Sequence, residues 1–484
     1  MVFRTGSDRI AIDSDGFRPP NYIVETETFD SSAFRSSMWD NTEEWWRGAP
    51  VDRYDDTLGS PAGGGWDNIT TNCTVATSNG IIAVGDRAYR HSNGTTSQGR
   101  VDLFETSDGK WFNSIDVSDA NITLGSISQY WFGHAIDMNN GILAVAGNRY
   151  KGTQTADDTS RVHLFDVGGR HFKDVCSGET DVSAYTWPNS HHGIRVGCGK
   201  VIATDFEWDS ASATGDWVEE GRIHIWDINR EEHGKSTTEI TVKGSDAYNI
   251  GMTHNNNQPT MSPRMHFGQS VAIGHGRIVV GAPGDIKGST TTGDPGAGSV
   301  FILDLDGNFI TKIVSPYIDT VEPVHKDGFG YKVAIGCGII AVAEPYDDIG
   351  GTNAGSVHTY DLSGKYLETL NTVSQSKNSI AGGSNYYAGA MLEIDNNRII
   401  YGGNYNGNGF INVFGLDGDA SEDYMQDTDA AYRGAYWGEP ETMAVKNGIM
   451  ATITAESATD SAELWIHKIP LTLSGKIDKQ ITKS

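Results

Sequence analysis

Residues 267–283 read FGQSVAIGHGRIVVGAP, and residues 329–345, sixty-two positions later, read FGYKVAIGCGIIAVAEP. A near-copy at that spacing marks a chain built from stacked or radially arranged units, because one such unit cannot bury its apolar face alone. The fold is therefore an array, and the number of copies decides which array.

A glycine closes the first strand of each copy: Gly80, Gly141, Gly199, Gly276, Gly338 and Gly448, with Asn397 in the sixth. Five and three positions before each stand Val75/Thr77, Ile136/Met138, Ile194/Val196, Val271/Ile273, Val333/Ile335, Leu392/Ile394 and Met443/Val445. That alternation is the period of a strand. The runs that follow, IIAV, ILAV, KVIA, RIVV, IIAV, RIIY and IMAT, are almost wholly apolar, as in a strand covered on both faces. A third strand recurs as RVDLFE at 100, RVHLFD at 161, RIHIWD at 222, SVFILD at 299, SVHTYD at 356, FINVFG at 410 and ELWIHK at 463. In most copies a glycine turn then opens a fourth, as in DLDGNFITKI (304–313) and DLSGKYLETL (361–370).

Seven copies, recurring about every 61 residues, leave room for four strands and generous loops. The expected fold is all-β: a seven-bladed β-propeller of four-stranded antiparallel blades over residues 66–484. Solenoid coils are usually about half as long. The ending LSGKIDKQI (473–481) parallels LSGKYLETL (362–370), so the last copy is expected to supply its own fourth strand. Residues 1–65 then form an N-terminal arm, in which Trp39, Trp45 and Trp46 either offer a docking surface or pack under the ring floor.

The 59 glycines suit short strands joined by turns. A formal net charge of -27 argues against a nucleic-acid backbone or an anionic membrane surface as partner. No stretch approaches the ~18 apolar residues of a membrane span, and the first twenty residues lack the apolar centre of a secretory signal. No membrane insertion is expected, and the chain is expected to be made in a cytoplasm and to stay there unless it leaves by lysis, within a particle or by an unusual route. Cysteines at 73, 176, 198 and 337 are too few and scattered for a disulfide framework. Cys198 and Cys337 occupy equivalent turns two copies apart and are expected to be free thiols.

Phe-Gly before the first strand and Gly-Ala-Pro after the second, as in Phe267-Gly268 with Gly281-Ala282-Pro283, resembles the FG-GAP family of integrin-type propellers. Phe329-Gly330 with Ala343-Glu344-Pro345 follows the pattern, and Phe132-Gly133 keeps its first half. The resemblance implies calcium loops of the form D-x-D-x-D-G-x-x-D, but no copy has one. Asp304, Asp306 and Gly307 keep only D-x-D-G, as do Asp13, Asp15 and Gly16, and read as Asp-Gly turns. No metal and no cofactor is expected.

In an antiparallel meander the second-to-third connections and those between blades leave from one face. Both sets are long here, for example 85–99, 204–220 and 281–297 in the first and 176–190, 245–266 and 430–438 in the second. They are rich in Tyr, Trp, Asn, Ser and Gly, the mixture of rigid amphipathic contact and adaptable hydrogen bonding found in binding loops. The candidate ligand-binding residues are Tyr130, Trp187, Trp208, Trp217, Tyr248, Tyr386 and Tyr436.

Catalytic signals are poor. Ser107-Asp108-Gly109-Lys110-Trp111 is a single mis-spaced sialidase-like box, and His191-His192 has no carboxylate or cysteine at ligand spacing. The expected function is a non-enzymatic recognition or structural protein. By analogy it is a phage virion component (tail fibre, receptor-binding or decoration protein) whose loop face binds a host surface glycan or protein. Residues 1–65 would then join other virion proteins. The rivals are a polysaccharide lyase or glycosidase with its carboxylates or histidines at the ring mouth, and an adhesin at the cell surface or outside the cell.

Overall fold

The structure, a computed structural model, describes residues 9–10, 23–24, 73–87, 89, 98–107, 109, 111–120, 130–147, 161–175, 193–206, 220–228, 239–249, 265–285, 296–317, 327–349, 351–371, 387–405, 408–416, 424–426, 443–454 and 463–468. Antiparallel sheets in simple sequence order fill the repeat region. Six are four-stranded, at 73–115, 136–175, 194–243, 270–313, 333–371 and 391–426, and are numbered here as blades 1 to 6. The seventh copy, 443–468, forms a three-stranded sheet. The described residues thus hold six complete blades where seven are expected. The fourth strand assigned to 473–481 lies outside the described residues.

The first hairpin of every copy closes in the same way. Asn79-Gly80, Asn140-Gly141, Cys198-Gly199, His275-Gly276, Cys337-Gly338, Asn396-Asn397 and Asn447-Gly448 all take positive φ at both residues. Two consecutive left-handed residues make a type I′ turn, whose twist matches that of the strands it joins. Asn397 replaces glycine because asparagine tolerates the left-handed region, and its φ is 59°. Cys198 and Cys337 sit at the first turn position as half-buried free thiols, as expected.

Adjacent sheets pack face to face. In blade 4 the second strand, Arg277–Ala282, sends Ile278, Val280 and Ala282 into the core shared with blade 3 and Val279 into the core shared with blade 5. This double coverage is why the strand reads as an unbroken apolar run. Shared cores recur between every neighbouring pair of sheets. The last joins Ala444, Ala451, Leu464 and Ile466 of the three-stranded sheet to Val75, Ile82, Val84 and Phe104 of blade 1. The ring is closed by that contact, with the first strand of each sheet against the first strand of the next.

The Phe-Gly and Gly-Ala-Pro motifs are joints between blades. The Phe329 side chain is fully buried, and its N–H donates to the Ala297 carbonyl of blade 4 at 3.2 Å. Phe132, Phe267 and Ala388 make the same bond to Gln98, Glu220 and Ala354. Gly281 of the motif lies so close to blade 5 that a Cβ there would sit 2.0 Å from the Gly330 carbonyl oxygen. These joints tie the entrance of each third strand to the entrance of the next blade, so both sets of long connections end on one rim.

Two departures from the all-strand reading are small. A helix, α1 (Gly244–Asn249), follows blade 3; Asp246 accepts the Lys243 N–H at 2.8 Å, and Glu220 accepts that of Ser245 at 2.6 Å. In the arm, Arg9–Ile10 pairs antiparallel with Ile23–Val24; the rest of 1–65, with its tryptophans, lies outside the described residues.

Candidate recognition face

On the rim where the long connections begin and end, the residue before the Phe-Gly joint takes a left-handed conformation. Trp131, His266 and Tyr387 hold φ of 51°, 53° and 49° there. The turn aims each ring at the end of the preceding blade's second strand. The Arg87 guanidinium lies 5.8 Å from the Trp131 ring centre, Phe206 meets His266 edge-to-face at 5.7 Å, and Tyr346 meets Tyr387 at 5.7 Å. Tyr331 adds a further edge contact to Tyr346 at 6.0 Å. All of these side chains are half-buried. Half-buried rings held by their neighbours present amphipathic area at little entropic cost, which suits stacking on a sugar or on another protein's side chains.

Beneath this rim, blade 5 buries three ionisable groups. Glu344 ends the second strand, Asp347 follows it, and His358 is the third residue of the third strand; all are buried. His358 Nε2 lies 2.7 Å from Glu344 Oε2, and its Nδ1 lies 2.8 Å from Thr369 Oγ1. Ser315 donates to Glu344 at 2.9 Å. Asp347 accepts the Ser356 hydroxyl and the Ile349 N–H. Burial, reinforced by the charge of Asp347, pushes the Glu344 carboxyl well above its usual range. Burial also pulls His358 down to about 4. A neutral acid donating to a neutral imidazole satisfies both shifts. Blade 4 solves the same position differently: Asp285, equivalent to Asp347, pairs with Lys312 at 2.8 Å and accepts from Ser299 at 2.5 Å.

A second cluster lies on blade 2. His163 Nδ1 and His171 Nε2 each stand 2.7 Å from the same oxygen, Asp174 Oδ1. Tyr130 Oη is 2.8 Å from His163 Nε2. Burial lowers the His163 pKa against the pull of Asp174. Burial alone would raise Asp174, but the hydrogen bonds from both histidines outweigh it and hold its carboxyl well below the usual range. Among the described residues, these two blades hold the groups able to ligate a metal with three donors.

Of the sequence-derived candidates, Tyr130 is 3% exposed and serves as a hydrogen-bond partner of His163 rather than as open binding surface. Tyr248 lies on α1. Trp187, Trp208, Trp217, Tyr386 and Tyr436 lie outside the described residues, as does His191-His192. Ser107, Gly109 and Trp111 belong to the third hairpin of blade 1. The D-x-D-G fragment is a turn: Asp304 accepts the N–H groups of Asp306 and Asn308 at 2.9 Å each. Trp131, His266 and Tyr387 were missed. Their signal was positional, a bulky residue just before three of the four joints, where the backbone turns left-handed; Gly328 fills that place before Phe329.

The FG-GAP repeat family matches residues 261–303, the segment holding Phe267-Gly268 and Gly281-Ala282-Pro283. The chain is a β-propeller that carries an FG-GAP repeat. Similar solved structures include the β-propeller domain of the Trilobed protease from Pyrococcus furiosus, which is described as having an open velcro topology. It is 12% identical with a TM-score of 0.43, over 82% of this chain and 96% of that one. Hsv2 of Kluyvelomyces marxianus is 9% identical with a TM-score of 0.41, over 84% and 100%. No curated protein matches the propeller in sequence.

Proposed function

We propose that this FG-GAP propeller is a non-enzymatic recognition protein, a component of a phage particle that binds a host surface glycan or protein through its loop-rich face. The observation that carries the reading is the collar of half-buried rings on the rim where the long connections converge: Trp131, His266, Tyr331, Tyr346 and Tyr387. Its acidic charge of -27 fits a neutral or basic partner better than an anionic one. Residues 1–65 serve in this reading as the segment that attaches the ring to other virion proteins.

The test uses labelled full-length protein on intact bacterial cells. Binding is expected without release of reducing ends, and the combined Trp131→Ala and Tyr387→Ala variant should bind on the order of tenfold more weakly, the loss of an aromatic anchor. Released sugar would favour the lyase or glycosidase reading. Detection of the chain in purified particles by mass spectrometry supports the virion assignment, and its confinement to soluble cell extract would reject it.

A further inference from the structure

The outer halves of blades 1, 2, 4 and 5 each offer three positions that converge: the third residue of the third strand, and the first and fourth residues of the fourth strand. Residues three apart on a regular strand point to opposite faces. A one-residue register shift early in the fourth strand of blades 1, 2, 4 and 5 brings them to the same face. In blade 2 the shift pairs His171 with Phe165 and Asp174 with His163, so all of these share the side facing blade 1. Other blades fill the trio with groups that suit no metal together. Blade 1 has Asp102, Trp111 and Ser114, linked through the Trp111 indole and the Ser114 hydroxyl. Blade 4 has Phe301, Phe309 and Lys312, with the two rings 5.7 Å apart. Blade 5 has His358, Tyr366 and Thr369, joined by 2.8 Å hydrogen bonds. Blade 2 alone of these four places two imidazoles and a carboxylate there.

We propose that His163, His171 and Asp174 form a binding site for a divalent transition metal of the zinc class. Two nitrogens and one oxygen are the donor set that such ions take. Both nitrogens already point at one carboxylate oxygen from 2.7 Å. A tetrahedral zinc at about 2.0–2.2 Å from each donor needs them about 3.3 Å apart, so each pair opens by roughly half an ångström.

The surroundings fit. When an ion replaces the Nδ1 hydrogen that now bonds to Asp174, His163 carries its hydrogen on Nε2, and the Tyr130 hydroxyl 2.8 Å away is placed to accept it, the outer-shell arrangement that metal-bound histidines use. Gly147 makes room for it: a Cβ there would lie 2.3 Å from the Tyr130 ring and 3.0 Å from His163 Nε2. Arg161 stands 3.9 Å from Asp174 Oδ2, the oxygen not used by the histidines. The His163 side chain is fully buried, while His171 and Asp174 are 15% and 26% exposed, which leaves an entry path and room for water as a fourth ligand. The blade 5 cluster has no such opening, since Glu344, Asp347 and His358 are all buried.

The experiment strips full-length protein with chelator, then titrates it with Co²⁺ and follows visible d–d absorption, with Zn²⁺ as competitor. One ion per chain is expected, displaced by Zn²⁺. Tyr130→Phe should weaken binding by ~10–100-fold, as loss of an outer-shell partner does, and His171→Ala by more. His171 lies on the outermost strand of its blade and is partly exposed, so His171→Ala should still fold in chelator, and its metal-induced stabilisation should vanish. The proposal is overturned if no specific absorption develops, if His171→Ala binds as tightly as the native chain, or if a combined His191→Ala and His192→Ala variant loses the ion instead.

Discussion

At the scale of the residue, the blade 5 trio sets a pH dependence that can be read in isolation. Burial, and then the charge of Asp347, raise the Glu344 pKa in the folded state above its ordinary 4.5. The folded chain therefore keeps a proton that the unfolded chain releases above that value. This contribution to stability is full below pH 4.5 and is lost as pH rises toward the folded value. His358 acts in the opposite window: with a folded value of about 4 against 6.5 unfolded, its contribution is lost as pH falls from 6.5 toward 4. Glu344→Gln cannot ionise and keeps a donor for His358 Nε2. Melting followed from pH 5 to 8 should show the variant gaining on the native protein as pH rises. A gap that stays constant or narrows would contradict the neutral-acid assignment. The third-strand histidines were visible in sequence as RVHLFD, RIHIWD and SVHTYD, but their partners were not. Asp174 lies eleven residues from His163, and Glu344 fourteen from His358, on strands whose pairing only the register supplies.

At the scale of the element, the strands and their first turns were legible because each rests on local rules. Alternation gave the first strands, and the anchor glycine gave the second residue of each type I′ turn. Register carries the rest: the fourth-strand shift that gathers His171 and Asp174 leaves no mark in the sequence, because it changes which residues face inward without changing which are apolar. Double coverage of the strands has an energetic consequence. Ile302, on the third strand of blade 4, is fully buried in the core shared with blade 5. Ile302→Ala should cost about 2–5 kcal/mol in urea unfolding. A loss below 1 kcal/mol would mean that the two blades do not pack there.

At the scale of the whole molecule, the array was legible because its repeats are regular; six copies are complete blades among the described residues, and the seventh is described over three strands, its expected fourth lying outside them. Its three described strands still pack between blades 6 and 1. The collar of rings on the loop-rich rim depends on that closure, because each ring is set by the joint between neighbouring blades. Ile82 and Leu464 are 382 positions apart in the chain and lie in the one core that joins its two ends. The most direct test of the closed ring is a double-mutant cycle with Ile82→Ala and Leu464→Ala, measured by urea unfolding. A closed ring predicts a coupling of about 0.5–3 kcal/mol between them. Strict additivity would mean that the last sheet does not meet the first, and the ring described here would be open.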